Sequence, residues 1–459
     1  MIRENEHVSD IHICYIGGGS RAWAWDLMSD LALEPALSGV VTLYDIDEPA
    51  AQANAIIGNR LHEQDGRWHY RVAGSLGEAL SGSDFVIISI LPGTLDDMQS
   101  DVHAPEKYGI YQAVGDTVGP GGILRAMRTL PMYDVIARAI RDHCPEAWVI
   151  NYTNPMTLCV SYLYRAFPEI RAFGCCHEVF GTQRIMARML EEHFGDGRTI
   201  PREDIRTNVK GINHFTWIDE ARYQGMDIMP LYAQFCEKYR DTGIEVGAKP
   251  GSARYFVCNN RVKFDLFLRY GIAAAAGDRH LAEFMPPWYL KTPEDVSRWG
   301  FALTPVSYRR ENYRERAEHS RALVSGKTAF SPKPSGEEGV RQIKALVGLG
   351  DLVTNVNYPN VGQISSLPQG AVVETNVVFS HNHIQPVQAG PLPEAVNALV
   401  YRHVVNQRMI VEATAQHDTS LVFNAFLNDP LVDLSIGQAR ALFDEMTANT
   451  RAWLDWWPL

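Results

Sequence analysis

A chain of 459 residues, 46% hydrophobic and 21% charged, has the composition of an ordinary globular protein large enough for two or three domains. Its formal net charge of −12, without any concentrated basic run, argues against nucleic acid as a partner. No stretch reaches the ~18 apolar residues that cross a membrane, and the opening MIRENEHVSD carries charge where a secretory leader is apolar, so a cytoplasmic protein without a membrane partner is expected.

Residues 11–16 read as a short β-run that ends at Gly17-Gly18-Gly19-Ser20, and Trp23–Leu33 then has the apolar spacing of a helix. Residues 40–44 predict a second strand ending at Asp45. Residues 84–90 are almost continuously apolar, which suits a strand covered on both faces of a parallel sheet. A helix over 124–142 and a strand over 147–152 follow, the strand leading into Thr153-Asn154-Pro155. This alternation predicts an α/β fold, a Rossmann-like doubly wound parallel sheet with ligands at the carboxyl ends of its strands. Beyond residue 200 the pattern lengthens. Residues 209–228 suggest strands joined near Tyr223-Gln224-Gly225, and helices are expected over 395–416 and 438–453. The expected organisation is a nucleotide-binding domain over 1–200 and a mixed α+β substrate domain over 201–459, with the last helices free to pack back on the first.

A dinucleotide needs a tight glycine turn at a helix amino terminus for its pyrophosphate and an acid near the second strand's end for a ribose diol. Gly17, Gly18, Gly19, Ser20 and Arg21 supply the turn and Asp45 the acid, which favours NAD because a 2′-phosphate would be repelled. The seven cysteines are odd in number and irregularly spaced, as expected of reduced thiols rather than disulfides. Cys175-Cys176 stands apart because it precedes His177 and Glu178, where a thiolate could reach a metal.

Taken in order, Gly17-Gly18-Gly19-Ser20, Gly119-Pro120-Gly121-Gly122-Ile123 with Arg125, Asn154-Pro155-Met156-Thr157, Cys176-His177-Glu178-Val179, Gly211-Ile212-Asn213-His214, Gly277-Asp278-Arg279-His280-Leu281-Ala282-Glu283-Phe284 and Leu367-Pro368 give the chain a resemblance to glycoside hydrolase family 4 over nearly its whole length. The form Cys176-His177-Glu178-Val179 resembles the family's α-galacturonidase branch. The resemblance implies a fold similar to lactate and malate dehydrogenases, a bound NAD, a divalent metal that is usually Mn²⁺, and a homo-oligomer. It implies a glycosidase in which C3 of the sugar is oxidised, the C2 proton is removed with metal assistance, the C1 group is eliminated, and water addition and re-reduction follow.

Carried over by position, the resemblance makes Cys176 and His214 the metal ligands. A thiolate with an imidazole would by itself suit Zn²⁺ or Fe²⁺ better than Mn²⁺, so the metal's identity comes from the resemblance alone. The resemblance places the C2 base at Asp265, with Tyr255 as the alternative. His177 becomes the acid at C1, Asp116 orients metal-bound water, and Asn154 binds sugar and nicotinamide ribose. Glu178 is expected to meet an axial O4 and Arg279 the C6 carboxylate of a uronide. Two other readings stay open: an α-glucosidase or α-galactosidase of the same family, and a dehydrogenase with net NADH formation.

Overall fold

The structure is a computed structural model and describes residues 1–245 and 254–459. Its strands are β1 (Ile2–Glu4), β2 (His7–Ile16), β3 (Leu37–Tyr44), β4 (Trp68–Val72), β5 (Phe85–Ile88), β6 (Trp148–Asn151), β7 (Arg171–Gly174), β8 (Ile205–Ile212), β9 (Phe215–Tyr223), β10 (Met226–Asp227), β11 (Ala273–Ala274), β12 (Leu352–Pro359), β13 (Val372–Ser380) and β14 (His383–Pro386).

The parallel part of the main sheet runs β4-β3-β2-β5-β6-β7. All four residues of β5 and of β6 are buried. Because side chains alternate across a strand, Phe85 and Ile87 join one apolar core while Val86 and Ile88 join the other. Helices cover both faces, and the strand order reverses direction between β2 and β5. That reversal is the crevice where a doubly wound sheet takes its ligand.

Beyond β7 the sheet continues with β12, β13 and β14, all antiparallel, so it draws strands from both sides of residue 200. A second sheet is built on the β8–β9 hairpin, flanked by β10 and β11. The turn expected at Tyr223-Gln224-Gly225 exists, but it joins β9 only to the two-residue β10. The long hairpin turns instead at Asn213 and His214, and His214 adopts a left-handed φ of 64° to make it.

The helix read as 124–142 spans Gly119–His143; Pro120 occupies its first turn, where a missing N–H leaves nothing unpaired. The closing helices Glu394–Gln416, Thr419–Leu427 and Ile436–Asn449 pack on it, and Trp457 Nε1 donates to Met127 O at 2.9 Å. Among the described residues no helix is long and apolar enough to cross a membrane.

Candidate active site

The glycine turn follows β2 at the crevice. Gly17 sits at φ 91°, and a Cβ there would stand 2.0 Å from the carbonyl oxygen of Ser89, so no other residue fits. Gly19 N–H donates to Asp45 Oδ2 at 2.8 Å and Asp47 N–H donates to Asp45 Oδ1 at 2.9 Å. These bonds tie the turn to the acid, and each carboxylate oxygen keeps a lone pair for a further donor such as a ribose hydroxyl. The helix Trp23–Leu33 starts without a side-chain cap, which leaves its first N–H groups free to face a pyrophosphate. Ser20 Oγ accepts from Ala22 N–H at 3.4 Å, and Arg21 Nη1 donates to Tyr313 at 3.2 Å. The turn fits a dinucleotide. Gly17→Ala must displace the Ser89 backbone, so NAD⁺ affinity measured by calorimetry should fall by about tenfold or more; unchanged affinity would place the dinucleotide elsewhere.

Across the crevice, ligand atoms of Asp116, His214 and His280 lie within 4.8 Å of one another. His280 stacks on His214 with ring centroids 3.7 Å apart. Thr117 Oγ1 is 2.7 Å from Asp116 Oδ1 and 2.9 Å from His214 Nδ1. Burial opposes ionisation of Asp116, yet His280, Arg125 and His214 hold its carboxyl well below the usual range, so it only accepts. The Thr117 proton therefore goes to Asp116, and Thr117 must accept from His214 Nδ1–H. That fixes the tautomer and leaves the lone pair of His214 on Nε2, as a metal ligand requires. Burial, with the charge of His280, lowers the His214 pKa to about 3, so the ring is neutral at physiological pH. The buried Nδ1 of His280 has no hydrogen-bond partner among the described residues. Two imidazoles and a carboxylate fit a divalent transition cation.

Cys176 is not one of these three. Its sulfur meets the side chain of Asn213 and the N–H of Glu178, and burial together with Glu374 and Glu178 pushes the thiol well above its usual range. Cys176 and His214 thus do not fall in one cluster of three or more ligand groups among the described residues. Both nevertheless share Glu178 as an electrostatic neighbour, and a dication reaching Cys176 would have to displace its proton.

Glu178 opens the helix Glu178–Phe194, and its Oε2 accepts from Gly277 N–H at 2.7 Å. His177 lies at the rim, its Nδ1 2.5 Å from Glu337 Oε1 and its Nε2 3.9 Å from Glu178 Oε1. Burial works against its charge, but the bond and charge of Glu337, with Glu178, raise its pKa to about 9. Asn154 Nδ2 donates to Asp116 Oδ2 at 3.4 Å, its carbonyl accepts from Arg125 Nε at 2.9 Å, and its buried Oδ1 has no partner among the described residues. Arg279 Nη2 donates to Thr304 Oγ1 at 2.5 Å and to Ala113 O at 3.3 Å.

Asp265 makes its hydrogen bonds to a different set of residues. Its Oδ2 accepts from Arg269 Nε at 2.7 Å and Tyr289 Oη at 2.6 Å, because its place on the helix Arg261–Tyr270 turns it toward the residue four positions on. These two bonds tie Asp265 to neither the glycine turn nor the Asp116–His214–His280 cluster. Tyr255, the alternative, lies at the border of the site: its carbonyl accepts from Thr304 Oγ1, the group that also holds Arg279. Sequence reading gave no role to His280, Glu337 or Glu374. His280 was inside a quoted motif, whereas the two glutamates had no signal of spacing or neighbours.

Residues 12–192 match the family 4 glycosyl hydrolases and residues 209–432 the C-terminal domain of that family. The chain is 60% identical over 457 residues to an alpha-galacturonidase of Thermoanaerobacterium saccharolyticum, a match covering 98% of each chain. It is 52% identical to an alpha-galacturonidase of Bacillus subtilis across 96% of this chain and 98% of that one. The crystal structure of Bacillus subtilis lplD superposes with a TM-score of 0.92 at 52% identity, covering 96% of this chain and all of the other. A 6-phospho-alpha-glucosidase from gut microorganisms, solved with NAD and Mn²⁺, shares the fold with a TM-score of 0.81 at 19% identity, covering 98% of this chain and 99% of that one. By both its matched halves and its full-length relatives, this chain belongs to the family 4 glycosyl hydrolases.

Proposed function

We propose that this protein hydrolyses α-galacturonides with NAD and a divalent cation, manganese by family likeness, as resident cofactors. The observation that carries the reading is its identity of 51% to 60%, over nearly the full length, to four proteins named alpha-galacturonidase. The glycine turn and the Asp116–His214–His280 cluster are consistent with it.

When bound, NAD⁺ supplies a reversible hydride acceptor for C3 and the cation a Lewis acid for the C2 and C3 oxygens, so no net NADH accumulates. The protein's own part is to place and move protons. Thr117 locks the His214 tautomer, and Asn154 presents a free amide oxygen to a sugar hydroxyl. His177, oriented through Nδ1 by Glu337, keeps Nε2 for a proton that it gives to the departing oxygen at C1. Glu178 is fixed through one oxygen and offers the other to the O4 hydroxyl. Tyr255 takes the C2 proton.

The test is hydrolysis of the 4-nitrophenyl α-galacturonide, α-galactoside, α-glucoside and α-glucuronide, each with and without NAD⁺, Mn²⁺ and a thiol reductant. The galacturonide should lead by about 100-fold or more in kcat/KM, because a site built for a charged group rejects the sugar that lacks it. Activity should need both cofactors, without a steady rise in NADH absorbance. Preference for a neutral sugar, or net NADH, defeats the reading.

A further inference from the structure

Three parts of the chain meet at Thr304. Its N–H donates to Ala113 O at 3.1 Å, in the loop that carries Asp116. Its hydroxyl accepts from Arg279, in the short helix that carries His280. Two residues later the helix Val306–Val324 begins, with Arg309 in its first turn. The metal-site loop, the His280 helix and this third helix are thereby held in one corner of the crevice.

Two guanidinium groups in that corner each keep a buried Nε without a partner among the described residues. Arg309 has a buried Nε without a partner, and no hydrogen bond or ion pair reaches it among the described residues. Arg279 uses Nη2 on Thr304 and Ala113, while its own buried Nε is also unpartnered. Neither residue is fully enclosed, so a ligand can reach them. Arg279 faces Glu283, Glu178 and Asp116. Arg309 feels Asp116 and Glu283 as attraction and Arg279 as repulsion. Asp116 is already shared with Arg125 and the two histidines. Glu283 spends Oε1 on the N–H groups of Val114 and Gly115, at 2.6 and 2.9 Å, and burial pushes its pKa up to about 7, so at neutral pH it is only partly an anion. A divalent cation on the neighbouring cluster would add more positive charge. Buried like charges of this kind call for an anion, and a guanidinium edge meets a carboxylate through two parallel N–H bonds.

We propose that Arg309, with Arg279, binds the C6 carboxylate of the substrate, and that Arg309 is a residue by which the enzyme selects a uronide over the neutral sugar. This rests on the galacturonidase reading above and adds to it the residue that recognises the acid. A neutral galactoside would leave Arg309 and the Nε of Arg279 unpaired, the situation in which discrimination becomes large. The competing role for Arg309 is to neutralise Asp116 without touching substrate.

Arg309→Gln separates the two, using the NAD-loaded full-length protein. Calorimetry with free D-galacturonate should show binding about 50-fold weaker or worse, and kcat/KM on the 4-nitrophenyl galacturonide should fall about 100-fold, mostly through KM. Affinity for NAD⁺ should stay within about twofold of wild type. Arg309→Met, which keeps the bulk of the stem, is read in the same way should the glutamine variant not fold. Unchanged galacturonate binding overturns the proposal, as does a parallel loss of NAD⁺ binding. A wild-type enzyme that cleaves galactoside and not galacturonide defeats the galacturonidase reading itself, before any variant is made.

Discussion

His280→Ala is expected to abolish metal retention and lower kcat/KM by about 1000-fold or more, as large an effect as His214→Ala. The reason is the compactness of the cluster: ligand atoms of Asp116, His214 and His280 lie within 4.8 Å of one another, and Cys176 is outside that set. The two rings stack at 3.7 Å, which carries both imidazoles to the same side of the crevice. Removing one strong donor from a three-donor site should cost the cation most of its affinity, with only Asp116 and the neighbouring ring left to hold it. The measurement is metal content after dialysis against a fixed free Mn²⁺ concentration, with NAD⁺ affinity as the check that the sheet is intact. If His280→Ala keeps its metal while Cys176→Ser and His214→Ala lose theirs, the thiolate–imidazole pair is the true site and His280 only supports it.

How much of this was legible from the residues depends on what each segment had to do. β5 serves only the core, and its unbroken apolar run was readable at once. Likewise Gly17 and Asp45 announced themselves, because a turn pressed against the Ser89 carbonyl admits glycine alone. β12 and β13 were missed, and their composition explains it. Asn355, Asn357 and Glu374 are almost fully buried on these strands, where an apolar residue would have completed the pattern. Their side chains instead form a polar network: Asn213 and Asn355 both donate to Glu374, which faces Cys176. Buried polar side chains thus erased the very periodicity by which a strand is recognised. The role of His280 was hidden for another reason. No spacing relates it to His214, since only the fold brings the helix Asp278–Phe284 onto the β8–β9 turn.

Tyr255→Phe should lower kcat by about 100-fold to 10,000-fold with little change in KM, whereas Asp265→Asn should leave kcat within about threefold of wild type. Asp265 is held by Arg269 and Tyr289, at 2.7 and 2.6 Å, on the helix Arg261–Tyr270. Losing its charge should therefore register as stability, on the order of 1 kcal/mol from one hydrogen bond and one exposed ion pair, and as little else. Tyr255 belongs to the corner that holds Arg279. Its backbone is pinned to Thr304, its ring packs 5.3 Å from that of Tyr308, and the next residue, Phe256, lies 4.9 Å beneath the Arg279 guanidinium. A base at C2 has a signature beyond rate, because proton abstraction in deuterated water leaves deuterium at C2 of the released sugar. Wild type and Asp265→Asn should both incorporate it during turnover, and Tyr255→Phe should show slowed exchange in step with its lost kcat. Normal turnover and exchange in Tyr255→Phe, with both lost in Asp265→Asn, would return the base to the helix and require Asp265 to swing free of Arg269 when substrate binds.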